Sequence, residues 1–310
     1  MNKCVGCGDY TLRDGLCERC FRIKNYNDYK SINIKEEKVS GIFDSIKSND
    51  IVVLVVDLLN IPSDFDVIRN RIKNDIILVL NKFDLMPTDN EERFIAYFDK
   101  YNLNIVKSFC ISCKKNYNID NLYEYLCNFS NKKIYFIGYT NSGKSSLINK
   151  LLYNYSNQRT EITTSPIANT TLDSIEIKMN DMTFIDTPGV INKNNSILDN
   201  DILRKIAKCN KIKPITYQVI GKQYILIENI CQIEVIDNDI TIYIPNNIGV
   251  KRFYKEKEVI TDELKSLDYD INKKSDIVIF GIGFVKINRK GFINIKLKKD
   301  INCFIRDNLI

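Results

Sequence analysis

Apolar and polar positions follow two different rhythms along this chain. Between residue 51 and about residue 210, compact apolar runs at 51–56, 76–80, 105–111, 133–138, 172–177 and 182–185 alternate with stretches of helical spacing. Strands that alternate with helices predict a mostly parallel α/β sheet, because a parallel pair needs a crossover long enough to hold a helix. From residue 215 onward the period shortens. Alternating segments recur at 215–220, 224–228, 232–236, 240–244, 277–280, 284–287 and 292–297, with one candidate helix near 256–267. That pattern predicts a separate β-rich (α+β) domain. The expected division is a Cys-rich module at 1–24, an α/β domain at 25–208 and the β-rich domain at 209–310.

Several junctions between these runs carry chemistry. The run at 133–138 leads into Gly138-Tyr-Thr-Asn-Ser-Gly143-Lys144-Ser145, which fits G-x-x-x-x-G-K-[ST], and an amphipathic stretch at 145–153 follows. Strand, glycine loop and helix in that order make a phosphate cradle. The loop N–H groups face phosphate oxygens and the helix N-terminus adds its positive end. Ser142, Gly143, Lys144, Ser145 and Ser146 are then nucleotide contacts, with Lys144 on the β- and γ-phosphates and Ser145 on Mg²⁺. Asp186-Thr-Pro-Gly189 ends the run at 182–185. Asp186 is placed to hold Mg²⁺ and the Gly189 N–H to sense the γ-phosphate. In the polar loop between them, Thr171, with Thr170 beside it, is the candidate to complete the Mg²⁺ shell.

Asn81-Lys82-Phe83-Asp84 follows the run at 76–80, which is how GTPases read guanine. The Asp84 carboxylate accepts from N1–H and from the exocyclic amine. Adenine offers neither in that geometry and would leave a charged acceptor unpaired. Lys82 packs its stem on the base and Asn81 ties this loop to the phosphate loop. Ser112-Cys113-Lys114, after the run at 105–111, resembles the second guanine-reading loop. Cys110 and Cys113 form a C-x-x-C by coincidence, since Cys110 falls inside a strand. The two base motifs precede the phosphate motif, the reverse of the usual order. A sheet whose ends lie close in space tolerates such a circular permutation.

Two further features bear on catalysis and metals. The residue after D-T-P-G is Val190, where many GTPases carry the Gln that orients water, so slow intrinsic hydrolysis is expected. Asn141 in the phosphate loop offers an oxygen to a monovalent cation, and K⁺ stimulation is expected. Cys4-x2-Cys7 and Cys17-x2-Cys20 present four thiolates at a spacing that suits one structural Zn²⁺.

Composition narrows the choices. The 310 residues include no His, which excludes Ser-His-Asp and Cys-His catalysis and any His-ligated metal. The polar, Cys-rich opening does not read as a secretory signal, and no apolar run is long enough to span a bilayer. A cytoplasmic location without a membrane partner is expected, and there paired cysteines favour metal over disulfides. Net charge is +6, all of it within 201–310, which holds 20 Lys+Arg against 14 Asp+Glu. Between Lys273 and Arg306 nine basic residues face two acidic ones. Such a run is either a solvated face or a surface for a polyanion, most simply RNA.

Cys4-Val-Gly-Cys7, Cys17-Glu-Arg-Cys20-Phe-Arg-Ile-Lys-Asn-Tyr-Asn27 and the permuted motifs together resemble the YqeH family of circularly permuted GTPases. The ending, from Ser275-Asp-Ile-Val-Ile-Phe-Gly-Ile-Gly-Phe284 to Cys303-Phe-Ile-Arg-Asp-Asn-Leu-Ile310, is similar as well. The resemblance implies a zinc finger, a permuted G domain and a C-terminal module that binds RNA or protein. It also implies a role in assembling the small ribosomal subunit or its precursor rRNA. The expected function is thus a GTP-binding and GTP-hydrolysing assembly factor whose GTP and GDP states time binding and release, with no DNA partner. Two alternatives stand beside it. One is a signalling or metabolic GTPase acting on protein partners, and the other an RNA-binding protein with a weakly hydrolysing G domain.

Overall fold

The computed structural model describes residues 2–4, 6–7, 10–11, 15–18, 20–21, 36–156, 173–190, 196, 198–209, 211–257 and 263–310. The chain divides into two compact units. One comprises Met1–Leu58, Asp64–Asp84 and Phe94–Asn192, and the other Leu59–Ser63, Leu85–Arg93 and Lys193–Ile310.

The first unit opens with a two-stranded antiparallel ribbon, β1 (Asn2–Lys3) with β2 (Tyr10–Thr11), followed by the helix Glu36–Ser45. Its main sheet holds β3 (Ile51–Asp57), β4 (Ile76–Asn81), β5 (Ile105–Cys110), β6 (Lys133–Ile137), β7 (Ile175–Met179) and β8 (Met182–Asp186). The order across the sheet is β5-β4-β3-β6-β8-β7, parallel except for β7 at the edge. β3 and β4 are buried at every position, which explains their unbroken Val/Ile/Leu runs: both faces of a parallel sheet are covered. The helix Ile119–Leu126 runs between β5 and β6 in sequence. The helix Lys144–Tyr155 buries Leu147, Ile148, Leu151 and Leu152 on one face. Each such side chain contributes about 1.5–3 kcal/mol of transfer free energy. They share a core with Val53, Val55, Phe136 and Phe184 of the sheet. β3 sits at the sheet's centre because it pairs β4 on one side, Val52 opposite Ile76, and β6 on the other, Ile51 opposite Ile134.

The second unit contains two five-stranded antiparallel sheets. β13 (Val250–Phe253), β10 (Lys222–Ile227), β11 (Cys231–Ile236), β17 (Gly291–Lys298) and β14 (Leu264–Ile271) form one in that order. β18 (Cys303–Asp307), β15 (Ser275–Ile279), β16 (Gly283–Ile287), β12 (Asp239–Tyr243) and β9 (Ile215–Gln218) form the other. Alternate residues of both sheets, among them Ile225, Ile233, Ile277, Val285 and Ile295, make one apolar core. The helix Asn200–Ala207 belongs to this unit, with Ile202 in the same core. Of the helix expected near 256–267, residues 258–262 lie outside the described residues, and residues 264–267 instead begin β14, whose burial alternates residue by residue. Its period of two pairs it with β17 over eight residues, and that ladder overrides the helical propensity of its Lys and Leu.

Candidate functional site

The phosphate loop starts where β6 ends. A Cβ on Gly138 would lie 2.2 Å from the Val55 carbonyl oxygen, so only glycine lets the loop leave the sheet there. Gly143, at φ +95°, caps the helix Lys144–Tyr155 in the left-handed region, and a Cβ there would lie 2.2 Å from Asn81 Nδ2. Lys144 is buried and its ammonium donates to the carbonyls of Gly138 and Tyr139 at 3.1 and 3.3 Å. Burial pushes its pKa down to about 8, with the Asp186 carboxylate opposing the shift.

Asp186 ends β8 with no exposed surface. The Ser145 hydroxyl donates to Asp186 Oδ2 at 2.8 Å. Two hard oxygen donors therefore meet at the helix N-terminus, a donor set that fits Mg²⁺. Ser142 Oγ is buried in the same loop and has no hydrogen-bond partner among the described residues. The D-T-P-G turn is stitched to the phosphate loop. Thr187 Oγ1 donates to the Phe136 carbonyl at 2.8 Å, the Val190 N–H to Gly138 at 3.0 Å, and the Thr140 N–H to Val190 at 3.1 Å. A Cβ on Gly189 would fall 2.8 Å from Thr140 Cα, so glycine is required by close approach. Val190 itself is buried and apolar, with no group to orient water.

The base loops close on this centre from β4 and β5. Asn81 Nδ2 donates to the Ser142 carbonyl at 3.0 Å, and Asn81 Oδ1 accepts from the Cys113 N–H at 3.5 Å. One side chain thus touches both the phosphate loop and the Ser-Cys-Lys loop. Lys82 adopts a left-handed backbone, φ 64°, and its ammonium pairs with Asp57 Oδ2 at 2.6 Å. Asp57 was missed at the sequence level. Its signal was an acid closing the apolar run of β3, and the structure sets it opposite Asn81 in the strand register. Asp84 is half-buried in the turn Phe83–Leu85. Burial, then the Asp84 charge, pushes the Cys113 thiol up to about 12, which disarms it as a nucleophile. Ser112 is buried and its hydroxyl accepts from the Lys115 N–H at 2.9 Å, while Lys114 is exposed. Asn141 is exposed with φ +63°, and Ser146 is half-buried. Thr170 and Thr171 lie outside the described residues.

Cys4, Cys7, Cys17 and Cys20 bring four sulfurs within 4.8 Å of one another. Cys7 Sγ and Cys17 Sγ are 3.6 Å apart, close to the roughly 3.8 Å edge of a tetrahedron built on Zn–S bonds of about 2.3 Å. The Cys17 N–H donates to Cys4 Sγ at 3.1 Å and the Cys20 N–H to Cys17 Sγ at 3.5 Å. Burial raises the Cys4 thiol, but N–H groups of Cys17, Gly6 and Cys7 outweigh it and the net shift is downward, towards thiolate. Burial takes Cys17 up to about 11. The cluster fits zinc in donor type and spacing. The Asp173 N–H donates to the Cys7 carbonyl at 3.2 Å, which fastens the cluster to the chain just before β7.

A family described as 50S ribosome-binding GTPase matches residues 133–283, and one described as RsgA GTPase matches residues 66–195. The chain is 27% identical over 361 residues to YqeH of Bacillus subtilis (strain 168), with 99% of each chain covered. It is 31% identical over 156 residues to "Genetic interactor of prohibitins 3, mitochondrial" of Saccharomyces cerevisiae (strain YJM789), covering 47% of this chain and 27% of that one. The crystal structure of YjeQ from Thermotoga maritima overlaps it at 26% identity and a TM-score of 0.31, over 45% of this chain and 48% of that chain. The order of the motifs and the matching GTPase families define the class: this chain is a circularly permuted P-loop GTPase. Within that class it is similar to YqeH along its whole length. Among the described residues no helix is long and apolar enough to cross a membrane.

Proposed function

We propose that this GTPase is a cytoplasmic assembly factor of the small ribosomal subunit, binding the subunit or its precursor rRNA in one nucleotide state and leaving in the other. Lys144, Ser142, Gly143 and Ser146 hold the phosphates, and Asn81, Lys82, Asp84, Ser112, Cys113 and Lys114 read guanine. Ser145, Asp186 and Thr171 take Mg²⁺, Gly189 senses the γ-phosphate, and Asn141 recruits K⁺. The cysteine cluster holds zinc in a structural role.

One observation carries the nucleotide-timed part. The Mg²⁺ oxygens of Ser145 and Asp186 meet across two separate motifs. An ion bridged to the γ-phosphate would bind the phosphate loop and the D-T-P-G turn into one unit, and hydrolysis would release that tie. Val190 leaves water positioning to another group, so intrinsic turnover is slow and K⁺ stands in for the missing charge at the γ-phosphate. The ribosomal part is supported by the full-length similarity to YqeH and by the family described as 50S ribosome-binding GTPase.

That family description names the large subunit, whereas the resemblance of the whole chain points to the small one. Co-sedimentation with purified small and large subunits, with GDP or a non-hydrolysable GTP analogue across a salt series, separates them. Nucleotide-dependent, salt-sensitive binding to small subunits is expected. Binding to large subunits alone redirects the assignment, and binding to neither leaves a GTPase that acts on proteins.

A further inference from the structure

The basic run between Lys273 and Arg306 marks the C-terminal region as a polyanion surface in the sequence, but folding neutralises most of it. Six of its nine cations are ion-paired: Lys273 with Asp307, Arg289 with Asp239, Lys296 with Glu256, Lys298 with Asp199, Lys299 with Glu263 and Arg306 with Asp276. Five of those six carboxylates come from outside the run, so most of its charge excess along the chain is cancelled in space. Arg306 is fully withdrawn from solvent beneath this pairing, with its guanidinium 4.6 Å from the Phe284 ring.

A different set of lysines keeps its charge exposed. The helix Asn200–Ala207 ends at Lys208, and the chain then passes Lys211 and Lys213 before β9. All three lysines are exposed, while Cys209 and Ile212 between them are buried and pin the segment down. Two adjacent asparagines hold its flanks. Asn246 accepts from the Lys213 N–H at 2.7 Å and donates to the Lys213 carbonyl at 2.8 Å, and Asn247 donates to the Lys205 carbonyl at 2.7 Å. Two carboxylates in contact with this helix are already engaged. Glu228 pairs with Lys205, and Asp201 lies 3.7 Å from Arg204. Arg204 and Lys205, in the last turn, also complement the negative end of the helix dipole, a structural use that accounts for them. Lys211 and Lys213 lie beyond the helix and have no such use.

Exposed ammonium groups on a segment hydrogen-bonded at its flanks, with no exposed apolar side chain among the described residues between them, describe a surface for phosphates. A protein interface would offer a desolvated aromatic or aliphatic anchor at its centre, and this one has none. A single-strand reader would offer rings for bases to stack on, and none lies among these lysines. We propose that Lys208, Lys211 and Lys213 contact the phosphate backbone of folded RNA, and that the run from Lys273 to Arg306 does not. This rests on the RNA-binding reading above.

The test uses the full-length protein with fluorescently labelled small-subunit rRNA, measuring affinity by anisotropy across a salt series. Reversing all three charges (K208E/K211E/K213E) is expected to weaken binding at least tenfold and to flatten the log–log salt slope by roughly 2–3, at about 0.7–0.9 per lost phosphate contact. The milder K208Q/K211Q/K213Q set gives an intermediate loss and serves if the triple reversal does not fold. K274E/K290E, in the basic run, and K107E/K178E, in the first unit, are charge-reversal controls expected to bind like wild type. Binding of labelled GDP shows that each variant retains its nucleotide site. If wild type binds and the triple variants bind equally well, or if K274E/K290E alone loses binding, the surface is wrongly placed while the RNA reading stands. If wild type binds no RNA at any salt, both fall together.

Discussion

The Asn81 carboxamide donates to the Ser142 carbonyl at 3.0 Å, joining the guanine-reading motif to the phosphate loop across 61 residues of chain. The same amide nitrogen stands where a Cβ on Gly143 would fall, 2.2 Å away. The two positions are therefore coupled, and a double-mutant cycle reads the coupling. Asn81→Ala alone is expected to weaken GDP binding at least about tenfold, since it removes the hydrogen bonds to the Ser142 carbonyl and from the Cys113 N–H, the first of them worth ~1.5 kcal/mol. Gly143→Ala alone costs more, through the clash and the left-handed φ. The double variant is expected to fall short of the sum, because removing Asn81 relieves the clash. Strictly additive losses measured by calorimetry would show that Gly143 serves the turn only.

Guanine selectivity is assigned to Asp84. Asp84→Asn replaces a double acceptor with a group that also donates, which suits the 2-oxo edge of xanthine. GDP affinity is expected to drop by at least about a hundredfold, with measurable XDP binding gained. Equal loss of both nucleotides would mean that Asp84 shapes the loop and does not read the base.

Lys144 gives a pH dependence with a definite sign. Its folded pKa of about 8 lies below the unfolded value of 10.5, so burial of its charge opposes folding. The cost is fully present below pH 8, where both states are protonated. Between pH 8 and 10.5 the unfolded chain binds more protons, and stability from this group rises with pH. Without nucleotide, Lys144→Met is expected to be more stable than wild type at pH 7 by up to about 3 kcal/mol, at ~1.36 kcal/mol per pH unit. Chemical denaturation should show that margin shrinking towards pH 10. A constant margin would place the lysine in a better-solvated setting than its burial implies.

The nucleotide motifs and the cysteine module were legible in the sequence because each chemistry demands fixed residue types at fixed spacing. The central strands were legible because full burial on both faces writes an unbroken apolar run. β13, β14 and β18 were not read. In β14, Leu264 to Asp270 alternate between exposed and half-buried, so hydrophobicity barely marks the strand, and its pairing with β17 is the long-range fact that decides it. Asp57 stayed hidden for a similar reason: only the β3–β4 register shows that it stands opposite Asn81 and holds Lys82. The Lys273–Arg306 run misleads for the complementary reason, since its countercharges come from distant strands.

Zinc removal should be felt beyond the cluster. The Asp173 amide is held by the Cys7 carbonyl, and Asp173 directly follows the loop that contains Thr171. Purified protein is expected to carry one zinc per chain, and Cys4→Ser to lose it. Hydrogen exchange at the Asp173 amide should then accelerate while GDP affinity changes less than about threefold, because local opening spares the rest of the sheet. Unchanged exchange at Asp173 would detach the module from the G domain.

Asn141→Gly keeps the left-handed backbone that the loop needs and removes the side-chain oxygen. Wild-type turnover is expected to be at least about tenfold faster in K⁺ than in Na⁺, with the cation standing in for an arginine finger. The variant should lose that difference and keep its GDP affinity. Stimulation that survives the substitution would place the cation elsewhere.

The position of β3 bears on how the protein is made. As the chain leaves the ribosome, β3, β4 and β5 can pair at once, but the other edge of β3 must wait until Ile134 has been synthesised. The newborn domain thus carries an open, apolar strand edge at what will become its centre. Such an edge invites pairing with another chain. A protein with this order of strands should depend, during its own synthesis, on whatever shields that seam until the phosphate-loop strand arrives to close it.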